Sequence, residues 1–295
     1  MRSSLDCVPC FVRQALDASR AISDDPAFQE RTVREITGWI AGVDLDLAPP
    51  SFGQHIHRRL REVAASADPF RAAKEQQNSM ALQLLPELRP LVAQSAHPLS
   101  TAVRLAIAGN AIDMGVTDRV TSSGLRQAIE QAMEQPLCGD PDGFYEAAEA
   151  ARSILYLADN AGEIALDRLL VEQLGPHRVT VAVRGAPVLN DATVFDAQAV
   201  GLDDIAEVVD NGSDAPGTIL PDCSEEFRRR FAEADLIISK GQGNYESLND
   251  ETGNIFFLFK VKCRVIAQRV GMPVGTHVVT RPQGHVCAPE DREEI

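Results

Sequence analysis

From residue 154 onward the chain alternates short apolar runs with stretches of helical periodicity, and few folds accommodate that alternation. The runs at 154–157, 178–183, 205–209, 234–239, 255–259 and 274–279 are predicted as strands. Ile154–Leu157 has no polar face, as in strands buried on both sides. The stretches at 164–174, 223–232 and 263–270 are predicted as helices. Strands alternating with helices imply an α/β fold, with a mostly parallel sheet and right-handed crossovers. Every loop that follows a strand then emerges on one edge, where ligands bind in open α/β sheets.

The residues at that edge repeat one chemistry. The loops read Asp159-Asn160-Ala161-Gly162-Glu163, Asn190-Asp191-Ala192-Thr193, Asp210-Asn211-Gly212-Ser213 and Lys240-Gly241-Gln242-Gly243-Asn244. Asp and Asn are also the preferred helix caps, which is the alternative reading of any one loop. Their repetition on one edge argues for a shared site. Carboxylate and carboxamide oxygens suit a hard divalent cation, and helix-start amides favour anions. Lys240 among glycines could neutralise charge on a transferring phosphoryl group. No G-x-G-x-x-G follows the first strand, and neither a P-loop nor a G-x-S-x-G elbow is present.

Residues 1–97 carry helical patterns without a convincing strand and are expected to form a helical subdomain beside an α/β domain at 98–285. Residues 286–295 read as a polar tail and 136–142 as a loop. Cys7 and Cys10 form a C-x-x-C pair; zinc sites usually need a second pair or nearby histidines, so packed thiols are the simpler reading. His55 and His57 are read as surface histidines, being two apart on a helix. Asn110 and Asp113 are three apart, hence neighbours if the helix persists there. The net charge of −15 argues against nucleic acid or anionic membranes as partners. No run approaches the roughly 20 apolar residues of a membrane span, the start lacks an apolar signal core, and a cytoplasmic location is expected.

Blocks along the whole chain resemble one family. They are Asp-Cys-Val-Pro-Cys-Phe-Val-Arg-Gln-Ala-Leu at 6–16, Gly-Asn-Ala-Ile-Asp-Met-Gly at 109–115 and Asp-Asn-Ala-Gly-Glu-Ile at 159–164. Val-Arg-Gly-Ala-Pro-Val-Leu-Asn-Asp-Ala-Thr at 183–193, Ser-Lys-Gly-Gln-Gly-Asn-Tyr-Glu at 239–246 and Phe-Lys-Val-Lys-Cys at 259–263 continue the series. Together they resemble the family long called domain of unknown function 89, now described as damage-control phosphatases, in its C-x-x-C-bearing prokaryotic branch. The resemblance implies a Rossmann-like α/β/α domain with a helical region. It also implies hydrolysis of small phosphate monoesters, such as sugar phosphates or damaged phosphometabolites, with a divalent metal ion (Mg, Mn, Co or Ni).

The metal ligands it implies are Asp159, Asn160 and Asp191. It gives Lys240 a phosphate-contacting role with Asn244 close by, and it turns Asn110 and Asp113 toward the site. The Gly162 and Gly241 amides would hold phosphoryl oxygens, with Glu163 and Arg184 in the phosphate-binding set. Asp113 or Asp196 would act as general base. Two other readings stay open at this point: an S-adenosylmethionine-dependent carboxyl methyltransferase, described for a eukaryotic relative, and a non-catalytic phosphometabolite-binding module.

Overall fold

A computed structural model describes residues 1–110 and 122–282. Its seven-stranded sheet is built from β1 (Leu137–Gly139), β2 (Ile154–Leu157), β3 (Val179–Val183), β4 (Glu207–Asp210), β5 (Leu236–Lys240), β6 (Ile255–Lys260) and β7 (His277–Thr280), in the order β1-β7-β6-β5-β2-β3-β4. β2 lies between β3 and β5, with Ile154 level with both Val179 and Leu236. The strands from β2 to β6 are mutually parallel, and β7 returns antiparallel to β6.

Alternation along β2 decides the layering. Ile154 and Tyr156 enter one apolar core, Leu155 and Leu157 the other. Both faces are therefore covered, giving the α/β/α arrangement that near-continuous apolar strands require. One layer contains α6 (Pro98–Gly109) and α9 (Glu163–Leu174), together with α7 (Ser122–Glu134) and α8 (Pro141–Ala150). The other includes α11 (Glu225–Glu233), α12 (Gln242–Leu248) and α13 (Arg264–Val270). A short α10 (Val194–Ala199) follows β3.

The N-terminal helices divide differently from the sequence reading. α1 (Cys7–Ile22), α2 (Pro26–Ile40) and α3 (Pro49–Ala64) close around their own cluster of Phe11, Ile36, Phe52, Ile56 and Leu60. Phe11 and Phe52 stack there at 4.5 Å. α4 (Arg71–Leu82) and α5 (Leu85–Ala93) instead send Ala81, Leu85 and Leu88 into the sheet core beside α6 and α9. The packing thus divides before α4 rather than at residue 97.

Asp214, in the segment between β4 and α11, ties α3 to the α/β body. It accepts hydrogen bonds from Arg58 Nη2 at 2.6 Å, Gln54 Nε2 at 2.7 Å and Arg61. Burial alone would raise this carboxyl, but the bonds from Arg58, Gln54 and Arg61 outweigh it and hold it at about 2.

Two local readings are corrected. The expected loop at 136–142 contains β1, a three-residue edge strand too short to show any periodicity. His57 is buried rather than exposed, edge-on to Phe70, and burial with Arg61 nearby lowers its imidazole to about 3. It follows Ile56 on the apolar side of α3, so it falls into the seam with Phe70. His55 is exposed and stacks on Trp39 at 3.8 Å. Among the described residues no helix is long and apolar enough to cross a membrane.

Candidate active site

Chain order runs from β2 to β3 and β4 on one side and then crosses to β5 on the other, so the sheet reverses direction beside β2. Such a switch point leaves a crevice outside the carboxyl ends of the strands. Beyond that end, the loops after β2 and β3 are stitched together by main-chain bonds. The Ala161 N–H donates to Asn190 O at 2.7 Å and the Ala192 N–H to Asp159 O at 2.8 Å, forming an antiparallel bridge between Asn160 and Asp191. That bridge brings Asp159, Asn160 and Asp191 to the floor of a cleft of about 900 Å³. α1 and α3 supply one wall, including Gln14 and Pro50, while Gln242, Lys262 and Cys263 stand on another.

Gly241 lets the β5–α12 turn approach this floor. Its φ is +80°, and a Cβ there would overlap the Asp159 carboxylate. Glycine alone fits both demands.

Beneath the floor lies a buried polar network. Asn160 Nδ2 donates to Asp159 Oδ2 at 2.8 Å and Glu163 Oε2 at 3.0 Å, which commits both amide protons and leaves its carbonyl oxygen outside these bonds. Asn110 Nδ2 bonds the same two carboxylates at 3.0 and 2.9 Å, and its buried Oδ1 has no partner among the described residues. Arg184 Nε donates to Asp191 Oδ2 at 2.7 Å, and its Nη2 lies 3.5 Å from Asp159 Oδ1. Burial, with Glu163 and Asp191 adding, raises the Asp159 carboxyl well above the usual range, against Arg184 and Lys262. Four buried carboxylates, Asp159, Glu163, Asp167 and Asp191, face two buried cations, Arg184 and Lys240. The half-buried Lys262 stands at the cleft beside them.

Several expected site residues lie elsewhere or serve otherwise. Lys240 is fully buried, with its ammonium on Glu163 Oε1 at 2.7 Å, Asp167 Oδ1 at 2.6 Å and Ala106 O at 2.9 Å; its three donors are used and none faces the cleft. Asp196 is the carboxylate of a capping box on Thr193 and is held by Lys74 and Asn78, so it is not placed as a base. The Gly162 N–H goes to Asn78 and the Gly241 N–H to Leu258 O, leaving neither amide for a phosphoryl oxygen. Asn244 receives Arg184 Nη1 at 3.1 Å and donates to Lys240 O at 2.8 Å, as a brace between strands. Of the four edge loops, the one at 210–213 does not line the cleft; Asn211 instead supports the Gly185 N–H. Asp113 lies outside the described residues.

Lys262 is the cation that the sequence reading left without a role. It lines the cleft two residues after β6, and its backbone N–H is held by Gln242 Oε1 at 3.0 Å. β6 is parallel to β5, so the one-edge rule that singled out the earlier loops applies to this one too. Cys7, Cys10 and Cys263 also line the cleft as free thiols, and burial raises those of Cys7 and Cys10.

Among the described residues no three His, Cys, Asp or Glu side chains gather as ligands. A cation at the floor would therefore rest on two carboxylates and a carboxamide. The crowding of buried carboxylates, the Asn110 oxygen left without a partner among the described residues and the all-oxygen donor set fit a hard divalent ion.

An α/β fold with an acidic, oxygen-lined cleft at its switch point defines an enzyme-like class, and comparison with known proteins makes it specific. The profile of the damage-control phosphatase ARMT1-like domain matches residues 3–278. The chain is 37% identical to an uncharacterised protein of Methanocaldococcus jannaschii over 94% of both chains. It is 33% identical to a damage-control phosphatase of Archaeoglobus fulgidus, over 94% of this chain and 98% of that one. The crystal structure of a DUF89 family protein from Pyrococcus horikoshii matches with a TM-score of 0.85 at 29% identity, covering 96% of this chain and 99% of that one. The chain belongs to the damage-control phosphatase ARMT1-like family.

Proposed function

We propose that the protein is a divalent-metal-dependent phosphatase acting on small phosphate monoesters, sugar phosphates or damaged phosphometabolites. The observation that carries this reading is the convergence of the Asp159, Asn160 and Asp191 oxygens on the floor of one cleft. A phosphate dianion would be repelled from such a floor unless a cation stood between them. Asp159, Asn160 and Asp191 would hold that ion, with Mg, Mn, Co and Ni all compatible with oxygen ligands. When bound it polarises a phosphoryl oxygen and acidifies a water molecule.

The remaining work falls to the chain's own residues. Arg184 holds the Asp191 carboxylate in place, and Glu163, anchored by Lys240, orients the Asn160 amide. Lys262 takes the phosphate-contacting role expected of Lys240, because it is the lysine on the cleft wall. The leaving group lies against α1 and α3, in a cleft sized for a small metabolite.

Hydrolysis of p-nitrophenyl phosphate by metal-stripped protein, with each divalent ion restored singly, tests the proposal. Turnover should return with metal, and Asp159→Ala should lose turnover and calorimetric metal binding together. Unchanged hydrolysis in chelator, or full activity in Asp159→Ala, would refute it.

A further inference from the structure

One side chain from outside the sheet reaches both loops of the cleft floor. Asn78, on α4, accepts the Gly162 N–H on Oδ1 at 2.6 Å and donates from Nδ2 to Asp196 Oδ1 at 3.0 Å. Gly162 belongs to the loop that carries Asp159 and Asn160. Asp196 caps α10 through Thr193, and so closes the loop that carries Asp191. One turn earlier on α4, Lys74 Nζ reaches the other oxygen of Asp196 at 3.1 Å. Gln77 Oε1 accepts from Asn190 Nδ2 at 3.3 Å, and the Gln77 backbone lies 3.0 Å from where a Gly162 Cβ would stand. Lys74, Gln77 and Asn78 are all buried and none lines the cleft.

Burying this many polar groups costs stability unless each is bonded. Their bonds converge on the two ligand-bearing loops. The bridge between Asn160 and Asp191 ties these loops at one place, and a single tie leaves an angle free. Gly162, at φ +74°, is the pliant point about which that angle would open. Asn78 is bonded to its N–H. Holding that N–H and Asp196 at once, Asn78 is a second tie between the two loops, and two ties fix the angle as well as the distance.

The geometry points to Asn78 as a positioning residue for the metal floor, setting Asp159 and Asn160 against Asp191 and thereby the affinity for a divalent cation. This rests on the metal-dependent reading above. Asn78 touches neither substrate nor metal, so its effect reaches affinity through the backbone.

The test is calorimetric binding of Mn²⁺ to metal-stripped wild type and Asn78→Leu, a change of similar volume that removes both bonds. The dissociation constant should rise about 10- to 100-fold, the range for groups that orient metal ligands, while kcat recovers at saturating Mn²⁺. A role in folding alone would lower the melting temperature of the metal-free variant and leave Mn²⁺ affinity untouched; that result overturns the proposal. Should Asn78→Leu fail to fold, Asn78→Asp keeps the acceptor for Gly162 but sets a carboxylate against Asp196. It should weaken Mn²⁺ in the same way, and wild-type affinity there is equally fatal. Wild-type protein that binds no divalent ion at all would instead overturn the metal reading itself, a result separable from a variant that binds as the wild type does.

Discussion

Asp167→Asn gives a sharp test of the carboxylate crowding beneath the cleft. Lys240 serves two carboxylates, Asp167 at 2.6 Å and Glu163 at 2.7 Å, in a site closed to water. Burial pushes the Asp167 carboxyl from 3.8 to about 6; Lys240 pulls against this and Glu163 adds to it. That rise of about two units corresponds to about 3 kcal/mol. The native state therefore holds this proton more tightly than the unfolded chain does. Between pH 3.8 and about 6 the native state carries the extra proton, so stability falls as pH rises through that window. Asparagine cannot titrate, and the Lys240 bond it weakens adds only a constant offset. The unfolding free energy of wild type minus that of the variant should fall by about 2 kcal/mol between about pH 4.5 and about pH 7.5. Urea unfolding of metal-free protein at several pH values, followed by far-ultraviolet circular dichroism, measures it. A difference that stays level across the range would refute the crowded-carboxylate account.

Lysines on the two sides of the floor should behave oppositely. Lys240→Met leaves two buried carboxylates without their cation and should cost about 3–5 kcal/mol of stability. Lys262→Met should leave the urea midpoint near wild type while lowering kcat/KM for p-nitrophenyl phosphate about tenfold or more, as loss of a charge-assisted bond would. Equal destabilisation by both would contradict their different burial. Asp214→Ala should loosen α3 and speed limited proteolysis near residues 65–70 without exposing the sheet. Because Asp214 is held at about 2, its contribution is full above pH 3.8 and is lost only as pH falls toward about 2. The variant should lack that acid limb in pH-dependent melts.

The sheet was legible because strands buried on both faces must be apolar, as Ile154–Leu157 and residues 255–259 are. The site's location followed from parallel pairing, which puts successive loops on one edge. What the loops do was less legible. Lys240 ends a strand, and strand alternation places it with Leu236 and Ile238 on the face toward α6 and α9, away from the cleft. A strand-end lysine looks the same in sequence whichever way it points. Thr193-x-x-Asp196 fits a capping box, a local bond pattern that uses up the carboxylate. The main-chain bridge between Asn160 and Asp191 left no trace in side-chain identity, since backbone bonds are open to most residues. The same holds for Asn78, which lies 84 residues from the glycine it bonds.

The separate cluster that α1 to α3 form has a further consequence. The cleft wall that α1 and α3 supply is held together by Phe11, Phe52, Ile56 and Leu60, and the floor by residues of the sheet core. The two apolar cores are separate, joined through polar contacts such as those of Asp214. A lineage could remodel that wall, and with it the range of compounds admitted, while inheriting the floor unaltered. Diversification of this fold would then run mainly through the first 65 residues, where mutations meet their own packing constraints before any of catalysis.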